Sequence, residues 1–181
     1  MTGPSFDPSG AVRFNLRSGM ASDAQGARLV LVPTNAFDAL GDDALATFGT
    51  AVGRACGTRV AARLGGAASV RGGSLEVVIS HLAGELALAG ACSLEIERWG
   101  RAMLAVVKNE AVAKDAFSCA LLSSAIGEAA GRAVFAVSVG REVSVSRFFI
   151  GSRETTERVR DLVAGGRSYG DVVATLQGSA S

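Results

Sequence analysis

The stretch Ser146-Arg147-Phe148-Phe149-Ile150-Gly151-Ser152 closes an alternating run that starts at Ala133, and the pair reads as a β-hairpin turning near Gly140-Arg141. Ahead of it runs a helix over Asp115 to Arg132 dotted with small residues: Ser118, Cys119, Ala120, Ser123, Ser124, Gly127 and Gly131. Behind it the sequence predicts two short helices, Glu154 to Val163 and Tyr169 to Gln177, separated by Gly165-Gly166 and started by Ser152 and Ser168 as caps. Phe148 and Phe149 hold adjacent strand positions and must face opposite sides of the sheet. One enters the core, and the other lines a pocket or a subunit interface, unless both serve the core alone.

Working back from that hairpin, Cys92 to Glu97 and Arg101 to Lys108 form a second one, joined around Trp99-Gly100, and Asn109 to Lys114 links it to the following helix. Ser74 to Leu88 reads as an amphipathic helix with Leu75, Val78, Ile79, Leu82 and Leu86 on its inward stripe, stopped by Gly90. Gly65 to Gly73 is expected as a loop. A long helix is placed over Ala44 to Leu64 and a short one over Ala36 to Leu40, and Arg28 to Val32 suits a buried strand ended by Pro33. Residues 1–26 carry two of the three prolines and are expected as a flexible lead-in; within them the alternating Ala11 to Arg17 suits an edge strand or a segment pairing with a partner. Residues 27–178 then make a single domain. Strands arriving as hairpins with helices between them give an α+β fold, an antiparallel sheet with helices packed on one face.

Composition narrows the function classes. With 181 residues, 49% hydrophobic and 19% charged, the chain can bury a core without disulfides. A net charge of +1, scattered cations and 6% aromatic residues offer neither a basic field nor a stacking platform, so nucleic acid is not expected as a partner. No apolar run is long enough to span a bilayer and no secretory-type start is present, so a cytoplasmic protein is expected. Neither GxGxxG after a strand nor GxxxxGK[ST] occurs.

Gly49, Gly53 and Gly57 recur at four-residue spacing on the long helix. Each costs roughly 1 kcal/mol against alanine in a helix. Either the stripe reflects a general bias toward Gly and Ala, or it admits a close contact within the domain or between subunits; these three glycines are the candidate interface residues. His81 is the single histidine, between Ser80 and Leu82; a base needs a nucleophile and an orienting carboxylate within hydrogen-bond reach, and a surface or hydrogen-bonded structural histidine is the plainer reading. Glu95 and Glu97 share one strand face, where solvated carboxylates neutralised by Arg98 and Arg101 are the plainer reading. Cys56, Cys92 and Cys119 are widely spaced among small or apolar residues and read as buried thiols.

Several segments in this order resemble the 4-vinyl reductase domain family. Leu29 to Pro33, Ala36 to Leu40 and the helix with Gly49 and Gly53 are similar to its opening; Gly90 with Trp99-Gly100-Arg101 to its middle; and Phe148 to Ser152, with Glu157, Val159, Leu162, Gly166, Ser168, Tyr169 and Val173, to its end. The resemblance implies a chamber between helices and sheet for a hydrocarbon-like or aromatic ligand, on a fold shared with the TRAPP vesicle-tethering subunits. It also implies, for sensory members, a zinc held by cysteines at one end. Here Cys119 looks like the first of those cysteines, while Ser146 stands where the cysteine of Cys-Arg-Phe would be. One thiolate cannot hold zinc in four-fold coordination, so no metal and no other cofactor is expected.

The expectation is a non-catalytic homodimeric module that binds a small hydrophobic ligand and signals or delivers it through a protein partner. Its pocket wall is assigned to Leu75, Ile79, Leu82, Trp99, Phe117, Leu121, Leu122 and Phe149. The rival is a TRAPP-like scaffold without a small ligand. A vinyl-group reductase is a weaker third, since no motif for a bound reductant is found.

Overall fold

The computed structural model describes residues 6–99 and 102–178. In chain order the elements are β1 (Val12–Asn15), β2 (Met20–Asp23), β3 (Arg28–Leu29), a 3-10 turn (Thr34–Phe37), α1 (Asp42–Arg63), α2 (Ala67–Gly72), α3 (Leu75–Leu88), β4 (Ser93–Trp99), β5 (Ala102–Lys108), α4 (Asp115–Ala130), β6 (Phe135–Arg141), β7 (Val145–Gly151), α5 (Arg153–Ala164) and α6 (Tyr169–Gly178). The architecture is α+β. A four-stranded antiparallel sheet in the order β4-β5-β7-β6 forms its centre, and β1-β2-β3 form a small separate antiparallel sheet.

Alternation along β5 and β7 sorts the core. Phe148 and Ala105, paired across the sheet, face α1, α3 and α4 and join Leu82, Leu86, Leu122 and Val60 in the main core. Phe149 and Leu104, one step along, face the other way and pack with Val137, Val139, Val159 and Val172. The expected helical layer on one face is therefore met by the earlier helices, and the tail adds α5 and α6 as a thinner second layer on the opposite face.

The glycine stripe lies against α4 of the same chain. A methyl group on Gly49 would come within 2.5 Å of the Phe117 carbonyl oxygen, one on Gly53 would strike the Leu121 carbonyl, and one on Gly57 the Ala125 carbonyl. The α4 side chains facing Gly49 and Gly53 are themselves small, Ala120 and Ser124, while Gly57 lies against the Cβ of Glu128. The stripe assigned to an interface is thus occupied inside the chain, where two smooth helical faces meet at near-backbone contact, and it has no surface left for a second copy.

Three further expectations change. Residues 67–72, taken as loop, form α2, a short helix bounded by glycines. Val30, Leu31 and Val32, taken as a buried strand, continue past the two-residue β3 as an exposed segment, with Val30 78% and Leu31 74% exposed. The lead-in carries the edge strand expected within Ala11 to Arg17, as β1, and beyond that expectation it also carries β2, while Phe6 sits over Gly84 of α3, its ring edge-on to buried His81 and under the Arg63 guanidinium. No described helix is long and apolar enough to cross a membrane.

Candidate functional site

α1 presents a second stripe beside its glycines: Phe48, Val52, Ala55, Arg59 and Arg63, spaced three or four residues apart. This stripe faces the strap formed by residues 23–37 and the end of α3, and two adjoining cavities of about 240 and 230 Å³ lie along it. They share Val30, Phe48, Val52 and Ala89 in their walls. The pair is large enough for a ligand of one or two rings, at the small end of the usual range for such sites.

One end of the site is aromatic. Phe37 and Phe48 lie 5.0 Å apart between ring centroids, and Phe48 stacks on Phe117 at 6.0 Å, so three rings form a row spanning the strap, α1 and α4. The other end is charged. Glu85, 1% exposed on α3, receives Arg59 Nε at 2.5 Å on Oε2 and has Arg63 Nη2 at 2.8 Å from Oε1. Arg59 Nη1 also lies 4.0 Å from the Asp23 carboxylate, which ties the strap to α1. Burial by itself would lower the Arg59 pKa, but the Glu85 hydrogen bond and the neighbouring negative charges raise it, so the guanidinium stays charged. An apolar slot ending in a fixed pair of opposite charges can hold a flat apolar body and orient a polar substituent.

Of the expected wall residues, Phe117 lines this site. Leu82, Leu121 and Leu122 are buried in the main core and Ile79 packs against it. Leu75 is 40% exposed at the first position of α3, because the inward stripe starts one turn later at Val78. Phe149 faces the α5–α6 layer, so the seven wall residues whose side chains are described do not converge on one chamber. The Trp99 side chain, with Gly100 and Arg101, lies outside the described residues, as does the side chain of Val173.

Phe37, Phe48, Arg59 and Glu85 were not anticipated. Phe48 and Arg59 were legible as part of a stripe one or two residues off the glycines, and Glu85 as an acid at i+3 from Leu82 on an inward face. The strap showed a strand-like run over Arg28 to Val32, but not where it lies, since its position depends on long-range packing.

The remaining candidates have structural partners. Glu95 pairs with Lys108 Nζ at 2.8 Å on the surface, and Glu97 accepts from the Tyr169 hydroxyl at 3.4 Å; Arg101, one of the arginines expected beside them, lies outside the described residues. Burial pushes the Cys56 and Cys119 thiols up to about 11 and the Cys92 thiol to about 12, which makes them protonated at neutral pH. Among the described residues no group of three or more His, Cys, Asp and Glu is placed to hold a metal ion.

Comparison with protein-family models and with curated proteins returned no match. Among solved structures the chain is similar to the phenol-responsive sensory domain of the transcription activator PoxR, solved with phenol, at 15% identity and a TM-score of 0.54 over 84% of this chain and 91% of that one. At that identity the likeness shows a shared fold.

Proposed function

We propose that this chain is a ligand-binding sensory or carrier module of the 4-vinyl reductase type, non-catalytic, which takes a small aromatic or hydrocarbon-like ligand between strap, α1 and α4 and passes its occupancy to a protein partner as a homodimer. The observation that carries the reading is the Phe37–Phe48–Phe117 row opening onto the Arg59–Glu85 pair, a flat apolar slot with one polar end. The structural likeness to a phenol-responsive sensory domain supports the same class. Phenol is the natural first probe, with toluene as the partner lacking a hydroxyl.

The test is titration calorimetry of the purified chain with both compounds, alongside organic extraction of the protein as isolated. Saturable binding, weakened roughly tenfold by Phe48→Ala through lost apolar contact, supports the reading. Absence of saturable binding by either compound, with nothing hydrophobic extracted, removes it. The TRAPP-like scaffold is then favoured, for which the specific support is the exposed Phe14 on the small sheet with Leu16, Val30 and Leu31 beside it.

A further inference from the structure

Glu110 is the acidic residue of the linker between β5 and α4, and Asn109 before it turns the chain at φ 54°. Its side chain is 8% exposed, and both carboxylate oxygens are engaged. Oε1 accepts from Ser146 Oγ at 2.5 Å and Arg141 Nη1 at 2.7 Å; Oε2 accepts from Ser118 Oγ at 2.6 Å and Arg141 Nη2 at 3.4 Å. Arg141 Nη2 also donates to Asp115 Oδ1 at 2.8 Å. The linker, the first turn of α4, the end of β6 and the start of β7 therefore meet on one buried carboxylate.

A β-bulge makes this possible. Val137 faces the α5–α6 layer, and strict alternation would send Arg141 to that same side. The register shifts between Ser138 and Gly140, so Arg141 pairs across from Ser146 and the two side chains share the α4 face. Burial alone would lower the Arg141 pKa, but hydrogen bonds to Asp115 and Glu110 raise it, so the guanidinium is held charged.

The family resemblance implies a zinc at one end of the fold, with Ser146 at a ligand position. The residues do not fit one. Ser146 offers a neutral hydroxyl where the resemblance implies a thiolate, and a guanidinium already grips the carboxylate that a metal would need. Cys119 packs against the main core, with a thiol raised to about 11 by burial, so it is protonated at neutral pH.

We infer that Arg141, gripping Glu110 and Asp115 while the Ser118 and Ser146 hydroxyls complete the carboxylate's shell, is a metal-independent clasp that fastens the β6–β7 hairpin and the linker to α4 by a guanidinium instead of a metal ion. A forked, charge-assisted pair supplies both the positive charge and the fixed geometry such a fastening needs.

Thermal unfolding of the full chain tests this, with and without a strong chelator, and with added Zn²⁺. The wild-type midpoint is expected to be unchanged by either, and Arg141→Ala to lower it by roughly 5 °C because Glu110 is left buried and unpaired. Arg141→Lys, which keeps the charge but loses the fork, is expected to recover only part of that loss. Conversely, the triple substitution Ser118→Cys, Ser146→Cys and Arg141→Ala brings two thiols to the Glu110 carboxylate, and should bind Co²⁺ with a thiolate-to-cobalt charge-transfer band that the wild type lacks. A chelator-sensitive wild-type midpoint with stoichiometric zinc, an unchanged midpoint in Arg141→Ala, or a folded triple variant without that band would each overturn the inference. Should the triple variant unfold without metal, recovery of its fold on refolding with Zn²⁺ supports the convergence, and failure to recover counts against it.

Discussion

At Gly53 one methyl group decides whether two helices can touch. Alanine there gains helix propensity worth roughly 1 kcal/mol, yet its Cβ would press on the Leu121 carbonyl and on Ser124 Cβ at 3.0 Å. Overpacking against backbone wins, so Gly53→Ala is expected to lower the unfolding free energy by about 1 to 3 kcal/mol in urea titration. Gly72 gives the opposite sign: nothing lies within 4 Å of its added methyl, and alanine should stabilise by a few tenths to about 1 kcal/mol. The stripe was visible in the sequence, but its partner was not, because periodicity reports that a face is smooth and not whose face fills it. The thiols add a pH dependence. Their folded pKa values, about 11 to 12, lie above the ordinary 9.0 through burial, so the native state holds these protons longer than the unfolded chain. Stability from this source is full below pH 9 and is lost as pH rises through about 9 to 12. Denaturation midpoints measured across that window should fall, and less so in a Cys56→Ala, Cys92→Ala variant.

Among the elements, the two hairpins and the four longer helices were legible because strands of alternating residues and capped amphipathic runs carry their own signals. Ser152 is an example: its Oγ accepts from Thr155 N at 3.3 Å at the start of α5, as its position before Glu154 suggested. Ser152→Ala should cost about 1 kcal/mol, read as a lower midpoint with unchanged fold. α2 was missed because Gly-bounded six-residue helices have too little length to show a period. β3 failed for another reason: an apolar run ended by Pro33 looks the same whether its residues are buried or, like Val30 and Leu31, exposed at the margin of a small sheet. The adjacent pair Phe148-Phe149 was read correctly as facing two ways, but the second face proved to be roofed by α5 and α6, so Phe149→Ala should destabilise the chain by about 3 kcal/mol and leave ligand affinity at its wild-type value.

For the whole molecule, the candidate site sits where parts distant in sequence come together: residues 23–37, the middle of α1, the end of α3 and the start of α4. Among the described wall residues that were anticipated, only Phe117 belongs to it, since placing a wall requires knowing how three helices and a strap are arranged, and apolar stripes look alike whether they line a slot or fill a core. Phe48→Ala and Phe149→Ala therefore make a crossed pair: the first is expected to weaken binding with little loss of stability, its ring being 39% exposed, and the second to do the reverse. Calorimetry and urea denaturation on the same two proteins separate the roles.

The strap is held to α1 by the long Asp23–Arg59 contact and by the Phe37–Phe48 ring contact, with the slot between them. A guest lodged there would act as mortar between the two pieces, so that amide hydrogens at Arg28 and Leu29 should exchange with deuterium more slowly when the slot is filled. Occupancy would thereby be written onto the outer surface of the molecule, in how firmly Val30 and Leu31 are presented to whatever reads them.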